Sequence, residues 1–173
     1  MRFAFSLLLA IIFGSSTVPS FAAAPQKPTK KASANAVSPV RFSNPSTMAK
    51  PVSTYSQVVE VTGGKNVYIA GQVALDPSGN FVGKDDFRAQ VEQVFKNLKL
   101  AVESAGGDMS SLVKTNYYVA ESVDPVQISA LREIRDRYIN TTAPPTSTFV
   151  VVKRLARPEY LVEVEAVAVV KGK

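Results

Sequence analysis

The sequence contains no cysteine and no histidine. The first absence rules out disulfides and thiolate nucleophiles, the second Ser-His-Asp triads, and the two together the common zinc sites. A metal could be held only by carboxylates and carbonyls, and the sequence shows no dense cluster of those. Acidic residues are missing from the first part of the chain: all 14 lie at or beyond Glu60. Six of the 20 basic residues (Arg2, Lys27, Lys30, Lys31, Arg41 and Lys50) precede Pro51, so the other 14 balance the acids from there onward. The net charge of +6 belongs to the N-terminal segment. The neutral remainder gives no reason to expect a nucleic-acid partner.

The 173 residues, 46% of them hydrophobic, suffice for one domain plus extensions. No internal repeat is visible. Residues 1–22 read as a secretory signal: Arg2 supplies the positive start, Phe3 to Phe13 is an apolar run too short for a comfortable membrane span, and Ser20-Phe21-Ala22 fits a small-x-small cleavage site, with Ala23-Ala24 as an alternative. Cleavage would export the chain across the inner membrane, most simply to a periplasm, and leave no stable membrane span. Residues 23–51, rich in Pro, Lys, Ala and Ser and without any period, read as a linker. The domain is expected over 52–173.

Within that domain Val52 to Val61 reads as a strand, and Thr62 to Asn66 as a hairpin turn with Gly63-Gly64 supplying positive φ. Val67 to Ala74 reads as a second, nearly all-apolar and therefore central strand. Asp76 to Asn80 is a turn. Asp85 or Asp86 caps a helix running to about Ala105, with Phe87, Val91, Val94, Phe95, Leu98, Ala101 and Val102 as its apolar stripe. On its wet face Glu92/Lys96 and Lys99/Glu103 stand at i,i+4 spacing. Leu112 to Ala120 is a third strand. Asp124-Pro125 opens a second helix through about Ile139, with Ile128, Leu131, Ile134 and Tyr138 inward and Arg132, Glu133, Arg135, Asp136 and Arg137 in water.

The last part of the chain carries the most information. A proline-stiffened loop, Pro144 to Ser147, leads into a strand from Thr148 to Arg154; a short connection containing Pro158 leads to a long strand from Tyr160 to Val170. On that last strand Leu161, Glu163, Glu165, Val167 and Val169 share one face, and Val162, Val164, Ala166, Ala168 and Val170 the other. A strand this apolar on both faces belongs inside a sheet. Its two carboxylates then need partners. Either they are paired structurally with Lys153 or Arg154 on a neighbouring strand, or one of them lines a pocket and handles a proton or a water. The element order, with two one-sided helices and an apolar sheet face left over, predicts an α+β fold that associates with itself.

This last stretch resembles the C-terminal signature of the RidA (YjgF) family. The family's proline-alanine-arginine-serine/threonine run, strand-ending Arg-Leu and closing Glu-hydrophobic-Glu-Ala strand correspond to Pro145-Thr146-Ser147-Thr148, Arg154-Leu155 and Glu163-Val164-Glu165-Ala166. The resemblance extends back to about Tyr55. It implies a chorismate-mutase-like mixed β-sheet with two helices packed on one face, assembled as a homotrimer with a small-molecule cleft between subunits. It also implies hydrolysis of enamines and imines derived from amino acids, with release of ammonia, and no metal or organic cofactor.

Carried over residue by residue, the resemblance makes Tyr55, Gly71, Gln72, Ser147 and Thr148 candidate substrate-binding residues and Glu163 the candidate catalytic group that assists a water. One departure matters: the family's carboxylate-gripping arginine falls at Ser147. Losing a charged, desolvated contact costs about 2–5 kcal/mol, or roughly 30- to several-thousand-fold in carboxylate affinity. The chain is therefore expected to belong to an exported, arginine-lacking branch in which 2-imino-acid hydrolysis is weakened or lost. Two readings follow: a hydrolase of related small molecules, or a non-catalytic trimer that binds a ligand or partner in the same cleft. A third label attached to the family, RNA cleavage, fits poorly with a neutral domain that has no histidine.

Overall fold

A computed structural model describes residues 39–172. The expected signal segment and most of the expected linker fall outside that range. Val40–Ser43 forms the first strand, β1, and β2 is Val58–Val61; the two pair antiparallel as a separate two-stranded sheet, with Arg41 bonded to Glu60 across it. The end of the expected linker is thus structured. The expected strand from Val52 shrinks to its last four residues, because Ser53 to Gln57 bend away to bond elsewhere: the Ser56 amide donates to Pro145 O and the Gln57 amide to Asn44 Oδ1.

The main sheet has the order β3-β6-β4-β5, where β3 is Lys65–Gln72, β4 Leu112–Ala120, β5 Thr146–Val152 and β6 Val162–Val170. Two pairing expectations are corrected. The 62–66 turn does not close a hairpin, since β2 pairs with β1 and β3 with β6. That places β3 at an edge, with Tyr68 79% exposed on its open side. Nor are β5 and β6 neighbours: β5 lies parallel to β4, whereas β6 is antiparallel to both β4 and β3. A parallel pair needs a crossover, and the second helix, α2 (Ile128–Tyr138), supplies it. Lys153 and Arg154 are therefore not beside the carboxylates of β6; Lys153 pairs with Glu121 instead.

The first helix, α1 (Phe87–Ser104), begins at Asp86, whose carboxylate accepts from the Ala89 amide. It ends where Gly106 takes φ +87 and the Gly107 amide returns to Val102 O. Its apolar stripe packs on β3 and β6, against Val162, Val164, Ala166 and Ala168 of the alternating strand. Phe95 joins the helices and the sheet, stacking on Tyr138 of α2 at 5.2 Å and meeting Tyr117 of β4 at 6.4 Å. Glu92 does not pair with Lys96; it accepts from Tyr138 Oη and Arg137 Nη2 across to α2. Lys99 and Glu103 do pair, at 2.8 Å. A 3-10 turn at Pro125–Gln127, capped by Asp124, precedes α2. Both helices lie on one sheet face. The other face, with Lys114, Asn116, Tyr118, Glu163, Glu165 and Val167, has no covering element among the described residues.

One polar residue of the α1 stripe is fully buried. Gln90 donates to Gly83 O and Glu159 O at 2.9 Å each and accepts from the Leu161 amide at 2.9 Å, so it ties the entry of β6 to the helix. Gln90→Ala leaves these backbone groups without partners and is expected to cost about 2–4 kcal/mol. Urea unfolding of the purified protein measures this, and a loss below about 0.5 kcal/mol would show that the three bonds are dispensable.

Candidate functional site

The six candidate site residues fall into two groups on each chain. Tyr55, Ser147 and Thr148 gather at the start of β5. The Ser56 amide bond to Pro145 O holds the loop carrying Tyr55 against the proline loop, and Thr146 Oγ1 donates to Val113 O at 3.1 Å, fixing β5 on β4. Tyr55 and Ser147 line two hollows. One, of about 410 Å³, lies towards the open sheet face and includes Thr148 and Lys114. The other, of about 240 Å³, lies towards α2 and includes Tyr117 and Arg135. Ser147 pairs with buried Thr115 and so faces the helices, whereas Thr148 pairs with Asn116 and faces out.

Gly71, Gln72 and Glu163 form the second group, where the pairing of β3 with β6 is irregular between Ile69 and Gln72. The irregularity brings the β3 backbone over the Glu163 side chain. A Cβ on Gly71 would stand 1.9 Å from Glu163 Oε1 and 2.7 Å from its carboxyl carbon, so only glycine leaves room for this carboxylate. Gln72 Nε2 donates to Ala70 O at 3.0 Å, which keeps its amide on its own strand. Neither Gly71 nor Glu163 lines either of the two hollows that Tyr55 and Ser147 share.

The two carboxylates of β6 differ in their surroundings. Glu165 accepts from Asn116 Nδ2 and, at 3.2 Å, from Tyr118 Oη. Glu163 has no hydrogen bond or ion pair among the described residues. Desolvation, with the neighbouring Glu165 charge as a smaller cause, holds its carboxyl above the usual carboxylate range. Desolvation and the bond to Glu165 likewise raise the Tyr118 phenol. Neither carboxylate therefore pairs with Lys153 or Arg154: Glu165 is partnered by polar side chains of β4, and Glu163 has no partner among the described residues.

Two further residues stand out that sequence reasoning placed otherwise or passed over. Arg135, expected in water, is 5% exposed. Its Nε donates to Asp136 Oδ1 at 2.8 Å and its Nη2 to Ser53 Oγ at 3.4 Å. The signal was present: Arg135 lies four residues after Leu131 and seven after Ile128, on the inward stripe itself. Tyr117 is 1% exposed, and the Thr115 side chain is the polar group that faces its hydroxyl. Burial pushes that phenol up to about 12, so it remains an O–H donor at neutral pH. No group of three or more acidic side chains among the described residues is placed to hold a metal ion.

Residues 46–170 match the family described as Endoribonuclease L-PSP. Among curated relatives, Protein DfrA of Myxococcus xanthus is 35% identical over 120 residues, covering 69% of this chain and 88% of that protein. A protein of Dermatophagoides farinae named 2-iminobutanoate/2-iminopropanoate deaminase is 28% identical over 135 residues, covering 78% of this chain and all of that one. Among solved structures, the Rid family protein YyfB of Yersinia pestis superposes with a TM-score of 0.67 at 34% identity, covering 76% of this chain and 99% of that chain. RidA from an Antarctic Psychrobacter gives 0.54 at 31% identity, covering 75% and 99%. Two helices on one face of a mixed sheet, and a match that runs through both groups of site residues, place this chain in the Endoribonuclease L-PSP family, the family of RidA.

Proposed function

We propose that the protein is a hydrolase of imines or enamines whose site forms between neighbouring copies, with Glu163 as the group that activates water. The observation that carries this is the state of Glu163: a carboxylate packed against Gly71, without a partner among the described residues and with its pKa raised. A raised carboxyl suits general acid–base work near neutral pH. Glu163 takes a proton from water as the water oxygen bonds to the imine carbon, and returns it to nitrogen to give the neutral carbinolamine. It then takes the hydroxyl proton and passes it to nitrogen as the C–N bond breaks and the C=O bond forms, so ammonia leaves with a carbonyl product. The naming of relatives as 2-iminobutanoate/2-iminopropanoate deaminases supports this class of reaction.

The assembly is part of the proposal. The Tyr55–Ser147–Thr148 group and the Gly71–Gln72–Glu163 group are separate within a chain, so a cleft containing both needs one group from each of two copies. The uncovered sheet face, with Tyr68 79% and Val150 40% exposed, offers apolar area for that contact. A homotrimer repeats such a cleft at each boundary. The N-terminal signal pattern supports export to a periplasm. A second reading, a trimer that binds a ligand without turning it over, is favoured by one observation, the uncharged Ser147 where an arginine would grip substrate.

Turnover separates the two. With 2-iminobutanoate generated in the assay, the wild-type protein is expected to release ammonia, and Glu163→Gln to lower kcat by about 10²–10³-fold with its elution as an oligomer unchanged. Full activity in Glu163→Gln would remove Glu163 from the mechanism, and an inactive wild-type oligomer would favour the binding reading. Stability gives an independent check. Because folding raises the Glu163 pKa, its contribution is complete below the ordinary carboxylate value and is lost as pH rises through the raised one. Glu163→Gln should therefore unfold at higher urea than wild type at neutral pH, with the gap closing on acidification. A gap independent of pH would contradict the desolvated carboxylate.

A further inference from the structure

The loop between α2 and β5 carries a motif that the proposed reaction does not use. Asn140-Thr141-Thr142 is an Asn-x-Thr triplet whose middle residue is not proline, the acceptor pattern for N-linked oligosaccharide. The chain has seven asparagines, and the other six fail the pattern: five lack Ser or Thr at the third place, and Asn44 is followed by Pro45. The loop presents the triplet. The Ile139 amide closes α2 on Arg135 O, and buried Ile139 anchors that end. At the other end Pro145 is buried and its carbonyl accepts from the Ser56 amide. Between these anchors Asn140, Thr141 and Thr142 are all exposed and belong to no helix or strand. Asn140 Oδ1 accepts from the Thr142 amide at 3.0 Å, from Thr142 Oγ1 at 2.8 Å and from the Ala143 amide at 3.2 Å. Its Nδ2 donates to no described residue.

We propose that Asn140 is an acceptor for an N-linked oligosaccharide, transferred from a polyprenyl-diphosphate-linked donor on the far side of the export membrane. The proposal rests on the export reading of residues 1–22 and not on the hydrolase. In the transfer Nδ2 bonds to the anomeric carbon of the first sugar as that carbon's bond to the diphosphate oxygen breaks. The Nδ2 proton passes to a carboxylate of the transferase, and the polyprenyl diphosphate leaves. An amide nitrogen is a weak nucleophile because its lone pair is delocalised into the carbonyl. Donors on Oδ1 stabilise the charge that builds on the carboxamide as the proton leaves, and Thr142 Oγ1 already stands there. Because the tip is held at both ends, a transferase can enclose it without opening α2 or β5. None of the three residues lines either hollow shared by Tyr55 and Ser147, so the sugar leaves those hollows clear. A plain turn role needs only the side-chain oxygen of residue 140, which aspartate supplies equally, and this separates the turn from the acceptor.

The test is mass spectrometry of the full chain recovered from the cells that make it, with fragmentation of the tryptic peptide Tyr138 to Lys153, which holds the whole triplet. Wild type is expected to carry a single oligosaccharide, on Asn140. Asn140→Asp, which keeps the acceptor of the turn, should lose it completely. If Asn140→Asp does not fold, the Thr142 pair decides: Thr142→Ser keeps the hydroxyl and should keep the sugar, whereas Thr142→Val should lose it. Bare Asn140 in chains whose signal has been removed, sugar on a threonine of that peptide instead, or sugar retained in Thr142→Val would each overturn the proposal. The N terminus, read from the same spectra, keeps the two readings apart. A bare chain that retains residues 1–22 overturns the export reading and the site with it; a processed chain with bare Asn140 overturns the site and leaves export standing.

Discussion

Burial of one face of β6 is the constraint on which the rest depends. Val162, Val164, Ala166 and Ala168 pack under α1, and the period of a strand then sends Glu163 and Glu165 to the opposite face. Because β6 lies between β3 and β4, that face is flanked on both sides. On the β4 side Asn116 and Tyr118 satisfy Glu165. On the β3 side Glu163 packs against the backbone of Gly71. The same geometry that partners one carboxylate leaves the other desolvated and without a partner among the described residues. A one-residue slip of β6 would bury both acids against the helix and expose the core set, so register and chemistry are specified together.

Periodicity and caps were legible in the sequence because they are local. Asp86, the α1 stripe, the strand Leu112–Ala120 and the alternation of β6 all follow from side-chain pattern and short-range hydrogen bonding. Pairing was not, because it is decided by distant partners. The segments of β5 and β6 are adjacent in sequence and read as neighbouring strands, yet α2 carries the chain across so that β5 lies parallel to β4 on its far side. The apolar β3 read as central, but it owes its hydrophobicity to one face under α1 and to an open face bearing Tyr68. β1 was hidden in a composition of proline, serine and lysine, and only four residues of it form strand.

The site was legible in its residue types more than in its electrostatics. Glu163 and Gly71 were both candidates, and the structure adds the close approach that couples them. Arg135 was lost in a run of charges on α2, although its spacing from Leu131 already placed it on the buried stripe. A guanidinium there changes how Ser147 reads. In the sequence that serine is a missing charge; in the structure it shares a hollow with one. Glu163 thus lies on the open sheet face and the Ser147–Arg135 hollow towards the helices.

That division can be tested by mixing subunits. Chains carrying Glu163→Gln keep the Tyr55–Ser147 half, and chains carrying Tyr55→Ala keep the Glu163 half. Unfolded together at equal amounts and refolded, the two inactive proteins should regain about a quarter of wild-type ammonia release, since random association places both intact halves at about one boundary in four. No recovery in oligomers shown to contain both chains would contradict a site shared between copies.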